Sequence, residues 1–414
     1  MADPSLRTAP RAQTGHRVLV LAAAGILLLT MGVRQSLGLF VLPIVTATGV
    51  SLVSVSFALA IGQFVWGAAQ PLFGAAADHY GTYRVLIFGA VLLAAGGALA
   101  TLSSSGVGFT VTLGILLAAG TAAGSFAILI GSTHSLSPSA RSLAAGIINA
   151  GGSLGQLMFA PLIQLLIKGA GWRTGMLGVS IVALMTVPLA WLFREKPPTP
   201  HASGAGAATS RGLREQLRVA VRDPSYLYLN AGFFTCGFHI AFLVTHLPGN
   251  LALCGLSATV AANSLALIGA FNVAGSLFVG WLGRHYRMKS ILAWLYASRA
   301  AVVICYLWMP KTALNVYLIA GALGFSWLAT VPPTAGLVGK LFGTRYLTTL
   351  FGLTLLSHQI GGFLGAWLGG VAMARLGSYD WVWYADIVLA LAAALINLPI
   401  KEEVPLKAAQ ASAA

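Results

Sequence analysis

Acidic residues are scarce in this chain. Of 414 residues only nine are Asp or Glu, against 24 Lys and Arg, and charged residues of both signs make up 8% of the total. Soluble domains carry roughly a quarter charged residues, so a water-soluble fold is excluded. Cysteine is equally sparse. Cys236, Cys254 and Cys305 are too few and too scattered for a disulfide framework or a metal site, and they read as small apolar packing residues. The chain has no phosphate-binding loop of the Walker type, which argues against a nucleotide-driven pump. It also lacks a His/Cys/acid cluster or a nucleophile–base spacing that would suit an enzyme. The expectation is therefore no catalytic residue, no metal and no cofactor.

What the chain has in abundance is apolar length. Hydrophobic residues reach 57%, with a mean hydropathy of +0.85. A bilayer crossing needs about 20 apolar residues, and the runs predict an all-α membrane protein of about twelve spans. These lie at 17–44, 52–75, 84–102, 107–132, 142–167, 174–193, 224–247, 257–282, 289–309, 312–337, 346–373 and 381–399. The net charge of +15 would suit nucleic acid, but the basic residues sit almost wholly in the turns between apolar runs, which makes them a topology signal instead. Only Lys168, Arg173, Lys311 and Arg375 fall in turns on one side; the rest gather on the other, apart from Arg34 and Arg299 inside spans. That bias predicts both termini in the cytoplasm of a multi-pass protein of a bacterial inner membrane. The first run follows basic residues as a signal peptide would, but Arg34 interrupts it and no clear small-residue cleavage site follows, so it reads as the first span.

One long connection divides the spans six and six. The expected organisation is a cytoplasmic tail at 1–16, a six-helix bundle at 17–193, a linker at 194–223, a second bundle at 224–399 and a tail at 400–414. Within the linker, Leu213, Leu217 and Val221 recur every four residues beside Arg214, Arg218 and Arg222, the pattern of an amphipathic basic helix on an anionic lipid surface. A weak repeat supports two pseudo-symmetric halves: Gly146 to Gly155 in the fifth span parallels Gly352 to Gly361 in the eleventh. Two such halves around a midplane site are how transporters expose one site alternately to each side.

Between the second and third spans stands Gly74-Ala-Ala-Ala-Asp78-His79-Tyr80-Gly81-Thr82-Tyr83-Arg84. This resembles the cytoplasmic signature of the major facilitator superfamily, which implies a gating latch formed by Gly74, Asp78, Gly81 and Arg84. Gly74 would permit close helix approach, Gly81 a tight turn, and Asp78 a contact with a basic group or a helix end. The matching turn of the second half carries Arg284 at the acidic position, which weakens the case for a symmetric second latch. Gly32-Val-Arg34-Gln35-Ser36-Leu-Gly38-Leu-Phe40, together with Gly324-Phe-Ser-Trp327 through Phe342-Gly-Thr-Arg345-Tyr346 to Ser357-His358-Gln359, is similar to bacterial members of the monocarboxylate transporter and oxalate–formate exchanger branch.

Among the nine carboxylates only Asp386 falls within a span, close to its outer end, so the membrane centre is expected to hold no acidic group. Arg34 lies roughly 26 Å from the cytoplasmic end of the first span at helical rise. An arginine in hydrocarbon costs at least about 2.5–3.5 kcal/mol, so Arg34 should face a wet cavity or a partner, with Thr30 and Gly38 leaving room beside it. A substrate anion, held by the guanidinium's two parallel hydrogen bonds, is the simplest partner; backbone carbonyls or a gating contact are the alternatives. Arg299 is equally deep in the ninth span. Tyr228, Gly232, Thr235, His239 and His246 share one face of the seventh, and His239 and His358 are candidates to titrate near neutral pH. Gln63, Trp66 and Gln70, then Asn149, Ser153 and Gln156, then Trp327, Thr330 and Thr334 form three polar stripes that either glue helices together or line a pathway. Pro332-Pro333 should kink the tenth span.

The candidate substrate contacts are thus Arg34, Gln63, Trp66, Asn149, Tyr228, His239, Arg299, Trp327, His358 and Gln359. The reading is a secondary carrier of a small organic anion, a monocarboxylate by resemblance, with protons as a candidate coupling ion. Carriage of a larger hydrophobic compound, by drug efflux or by vitamin or metabolite uptake, stands as the alternative, with Trp66, Trp327 and Tyr228 as stacking surfaces. An integral-membrane enzyme is the remote one.

Overall fold

A computed structural model describes residues 9–131, 138–194, 208–283, 285–343 and 347–402. Ten segments among the described residues are long and apolar enough to cross a bilayer. One of them, Ala144–Phe193, has 50 residues, about 75 Å of helix and twice what a bilayer needs. It turns at Gly171, whose φ of 81° favours glycine, and so makes two crossings. The apolar 30-residue helix Leu347–Leu376 adds another, completing the expected twelve.

The spanning helices are α1 (Ala9–Ser36, continued through a tight turn at Leu37–Phe40 into Val41–Thr48), α2 (Leu52–Tyr80), α3 (Thr82–Ala100), α4 (Gly106–Leu129), α5 (138–170) and α6 (172–193). After the linker come α7 (Pro224–Leu253), α8 (Ala258–Leu282), α9 (Met288–Trp308), α10 (Ala313–Phe342), α11 (Leu347–Leu376) and α12 (Asp380–Asn397). Local chemistry sets many of the boundaries. Ser51, Ser105, Asp223 and Ser257 each accept a backbone N–H three residues on, and Pro224 follows its cap at the position where a missing N–H is harmless. Gly49 and Gly81 end α1 and α2 with φ of 71° and 89°. Helix α10 breaks after Ser326 and resumes at Val331, with Pro332 and Pro333 opening its second half. The kink expected there is a full interruption that begins just before the prolines.

The internal repeat has a packing basis. A Cβ on Gly155 of α5 would overlap the Leu28 carbonyl oxygen of α1, and one on Gly361 of α11 would overlap that of Phe234 in α7. The same glycine therefore seats the same helix pair in each bundle.

Between the bundles, α2 packs on α11 and α5 on α8. Phe57 meets Phe363 and Trp367 edge to face at 6.0 and 6.1 Å, the side chain of Gln359 fills the space over Gly67, and Gly269 packs on the Ser153 carbonyl. These contacts occupy the middle of the helices and the side away from the termini. Toward the termini the bundles part. Among the described residues, no atom of another element lies within 4 Å of a Cβ built on Gly74, Gly146, Gly280 or Gly352, and α2 beyond Gly67 has no buried residue. The described parts of the two bundles thus leave a cleft open on the side of the termini. The close helix approach expected at Gly74 is absent here because its end of α2 faces that cleft. Gly81 makes the expected turn and Arg84 is exposed, whereas the side chain of Asp78 and residues Arg284 and Arg345 lie outside the described set.

The linker forms a helix at Ala208–Ala220. Its expected apolar face is divided: Leu217 packs on the protein core while Val221 is exposed; Arg218 and Arg222 are exposed, and the side chains of Leu213 and Arg214 lie outside the described set. At the other end of the chain, Glu402 accepts the backbone N–H groups of Met288 and Lys289 at 3.1 and 3.3 Å and Lys340 Nζ at 2.7 Å, tying α12 to the first turn of α9 and to α10.

Candidate substrate site

Arg34 stands where the two bundles meet. Its Nη2 donates to Gln63 Oε1, and its guanidinium carbon lies 4.2 Å from the centre of the Trp66 ring. Gln63 and Trp66 are three residues apart and project from one face of α2, so one helix supplies both an amide acceptor and an aromatic plane. Gly38, Leu113, Leu117, Thr121, Val244 and Thr245 complete the walls, bringing together α1, α4 and α7. The space left admits a water-sized sphere over about 20 Å³, enough for one water. The room expected beside Arg34 at Thr30 and Gly38 is taken. Thr30 donates to the Gly124 carbonyl of α4 at 3.0 Å, and a Cβ on Gly38 would overlap the Val244 carbonyl oxygen of α7.

A second polar centre lies inside the second bundle. His239 Nδ1 and Asp386 Oδ2 are 2.6 Å apart, and both side chains are fully buried. Arg299 is also fully buried, and its Nη2 donates to the carbonyls of Ser326 and Trp327 at 2.8 and 3.2 Å, at the break in α10. Those carbonyls end a half-helix, where a cation is favoured. Cys236 Sγ lies 3.3 Å from Thr330 Oγ1, and the His239 and Trp327 rings are 5.9 Å apart. This overturns the expectation of no acidic group at the membrane centre. Asp386 is near the end of α12 along the chain, but it engages the middle of α7.

The sequence candidates therefore divide. Arg34, Gln63 and Trp66 form one site. Gln359 packs over Gly67 of α2 beside it, and Gln359 Nε2 contacts His358 Nδ1 at 3.2 Å. His239, Arg299 and Trp327 belong to the buried second centre and do not line the Arg34 pocket. Tyr228 departs from the expected stripe: it is 38% exposed, whereas Gly232, Thr235, His239 and His246 are buried. Asn149 is half-buried on α5, apart from both centres. Of the polar stripes, Ser153 accepts from Asn272 of α8 at 2.8 Å, Gln70 returns to its own helix at the Trp66 carbonyl, and Thr334 to that of Thr330. Each stripe nonetheless includes one contact between helices: Gln63 with Arg34 of α1, Ser153 with Asn272 of α8, and Thr330 with Cys236 of α7. Sequence reasoning missed Asp386 and Asn272 as partners, since each acts across helices far apart in the chain.

The apolar helices define a multi-pass membrane protein, and the comparisons make it a transporter. The chain matches the Major Facilitator Superfamily over residues 22–366 and belongs to that superfamily. It is 28% identical over 378 residues to monocarboxylate transporter 13 of Bos taurus, covering 90% of this chain and 86% of that one. It is 23% identical over 380 residues to the oxalate:formate antiporter of Oxalobacter formigenes, covering 88% and 86%. The crystal structure of a D-xylose-proton symporter superposes with a TM-score of 0.75 at 15% identity, over 94% of this chain and 98% of the other. A bacterial homolog of the human lysosomal transporter Spinster, inward-facing and unoccupied, gives 0.73 at 15%, over 94% and 97%. The two solved structures share the fold.

Proposed function

We propose that this protein is a secondary carrier of small monocarboxylates, with Arg34 as the primary contact of the substrate carboxylate. The observation that carries the reading is a guanidinium at the bundle interface whose neighbours are an amide and an indole. Gln63 and Trp66 hold it in place without cancelling its charge, so it stays available to an anion. The names of the relatives, monocarboxylate transporters and an oxalate:formate antiporter, point to the same substrate class. The topology is both termini in the cytoplasm of a bacterial inner membrane, and the cleft open toward them is then the inward-facing state. A substrate larger than one water requires the pocket to widen, which rocking of the bundles would supply.

The test is counterflow in proteoliposomes with labelled formate, lactate, pyruvate and oxalate, set against a neutral amide analogue. Saturable exchange of at least one acid and none of the amide supports the reading; transport of neither overturns it. The rival reading, a larger hydrophobic cargo, draws on a second and mainly apolar cavity of about 430 Å³ between α1, α5, α7 and α8, lined by Leu39, Leu42, Pro43 and Ile167 among others. Competition by hydrophobic compounds, with no exchange of acids, would favour it.

A further inference from the structure

The His239–Asp386–Arg299 centre has no task in anion binding as read above, yet it is built from the costliest groups a membrane protein can bury. Several of its polar atoms are buried without a hydrogen-bond partner: His239 Nε2, Asp386 Oδ1, Arg299 Nε and Nη1, and Trp327 Nε1. A purely structural cluster would be expected to satisfy such atoms, since each unpaired one costs about 1–3 kcal/mol.

We infer that His239 Nε2 is a proton-binding atom of the transport cycle, with Asp386 as the residue that positions the ring and Arg299 as the group that passes its state to the break in α10. This rests on the carrier reading above. The chemistry balances simply. Ionised Asp386 can only accept, so Nδ1 of the neutral ring carries the hydrogen and donates to Oδ2. The lone pair is then on Nε2, where a proton binds to give imidazolium and from which it later leaves. Before binding, the charges of Arg299 and Asp386 offset each other; afterwards the centre carries one net positive charge. The groups around the ring are Asp386 from α12, Arg299 and Tyr296 from α9, Trp327 and Thr330 from α10, Cys236 from α7 itself, and His358 of α11, whose carbonyl packs on Gly237. Asp386 is the sole carboxylate among them.

A route from this atom to the bundle interface begins with one electrostatic step, the charge of Asp386 acting on Arg299, and continues in hydrogen bonds. An imidazolium beside Asp386 offsets the negative charge that Arg299 feels, which changes the grip of Arg299 on the Ser326 and Trp327 carbonyls. The next N–H along the break, that of Leu328, donates to Asn272 Oδ1 at 3.0 Å, and Asn272 Nδ2 donates to Ser153 Oγ of the first bundle at 2.8 Å. The chain of contacts therefore runs from the proton site to the seam along which the halves must move.

Two readouts test this. The first needs no substrate: a protonated imidazole quenches a neighbouring indole, so the fluorescence of the purified protein should fall reversibly on acidification. That step should vanish in both His239→Gln and Trp327→Phe, and move along the pH axis in Asp386→Asn. The second uses proteoliposomes and labelled lactate, corrected for protein-free vesicles. An inward gradient should accumulate lactate about tenfold per pH unit in wild type, and near unity in His239→Gln even though exchange persists. A flat wild-type titration, or a step retained in His239→Gln, overturns the inference. Gradient-driven accumulation retained in His239→Gln also overturns it and leaves the carrier reading standing. If wild type moves no lactate, the fluorescence titration alone decides the proton site, and monodisperse elution of each variant shows that it is folded.

Discussion

Replacing Arg34 separates the demands of binding from those of stability. Arg34→Gln removes the charge and keeps a side chain that can still exchange hydrogen bonds with Gln63. Truncating one partner of a buried, hydrogen-bonded charge pair costs about 2–5 kcal/mol of binding, which is roughly 30-fold to a few thousand-fold in Kd at about 1.4 kcal/mol per decade. The folded protein without substrate should lose nothing comparable, because a half-buried arginine held by an amide and an indole within a membrane span is itself a burden of about 2.5–3.5 kcal/mol on membrane insertion scales. Arg34→Gln should therefore melt no lower than wild type and no longer be stabilised by carboxylates. Arg34→Lys keeps the charge but loses the planar fork and its stacking on Trp66, so it should fall between the two. The assay is a thermal melt of the detergent-solubilised protein with and without millimolar formate, lactate or pyruvate, paired with counterflow of the same acids. Wild-type affinity and rate in a well-folded Arg34→Gln protein would refute the assignment.

Three further outcomes follow from other contacts. In a cysteine-free background, Ser105→Cys and Ala252→Cys should react with an impermeant thiol reagent added to intact cells, while Tyr80→Cys and Tyr286→Cys should react only after permeabilisation; the reverse pattern would invert the topology. Asn272→Ala strands the Leu328 N–H and the Ser153 hydroxyl, each a loss of about 1–3 kcal/mol, so it should lower the melting temperature more than Asn230→Ala, whose amide bonds only within its own helix at 2.7 Å. Glu402 gives a pH dependence with a definite sign. Burial alone would raise its pKa, but Lys340 and the N–H groups of Met288 and Lys289 outweigh that and hold it below the ordinary 4.5. The contact therefore contributes stability above that value and loses it as the pH falls through the depressed folded pKa. Glu402→Gln should flatten the drop in melting temperature below about pH 4.5; an unchanged drop would place the acid sensitivity elsewhere.

The architecture was legible in the sequence because it depends on run length. Spans, turns and the six-and-six division need only the count of apolar residues between charged ones. Arg34 was legible for a related reason, since a lone cation in an apolar run has to be explained, and the spacing of Gln63 and Trp66 put both on one face. The second centre was not legible as a unit. His239 and Asp386 are 147 residues apart in the chain, and nothing in the period of either helix names the other as partner. Counting residues placed Asp386 near a helix end and made it look peripheral, but depth along one helix does not say which neighbour a side chain meets. Gly74 misled in another way: a small residue permits close approach, and whether the approach occurs depends on which side of the bundles is open.

Among the described residues Arg34 has no acidic neighbour, and this has an electrical consequence. On the proposed reading the loaded carrier holds a guanidinium and a carboxylate side by side, a pair with no net charge, whereas the empty carrier holds the guanidinium alone. A membrane potential acts on a full elementary charge with about 2.3 kcal/mol per 100 mV and on a neutral pair hardly at all. Voltage should therefore weigh on the return of the empty protein and spare the loaded passage. A carrier of this design would exchange one acid for another with little regard to the potential, and its net transport would depend on it only when no proton is bound at His239, since that proton restores to the loaded passage the charge that the acid removes.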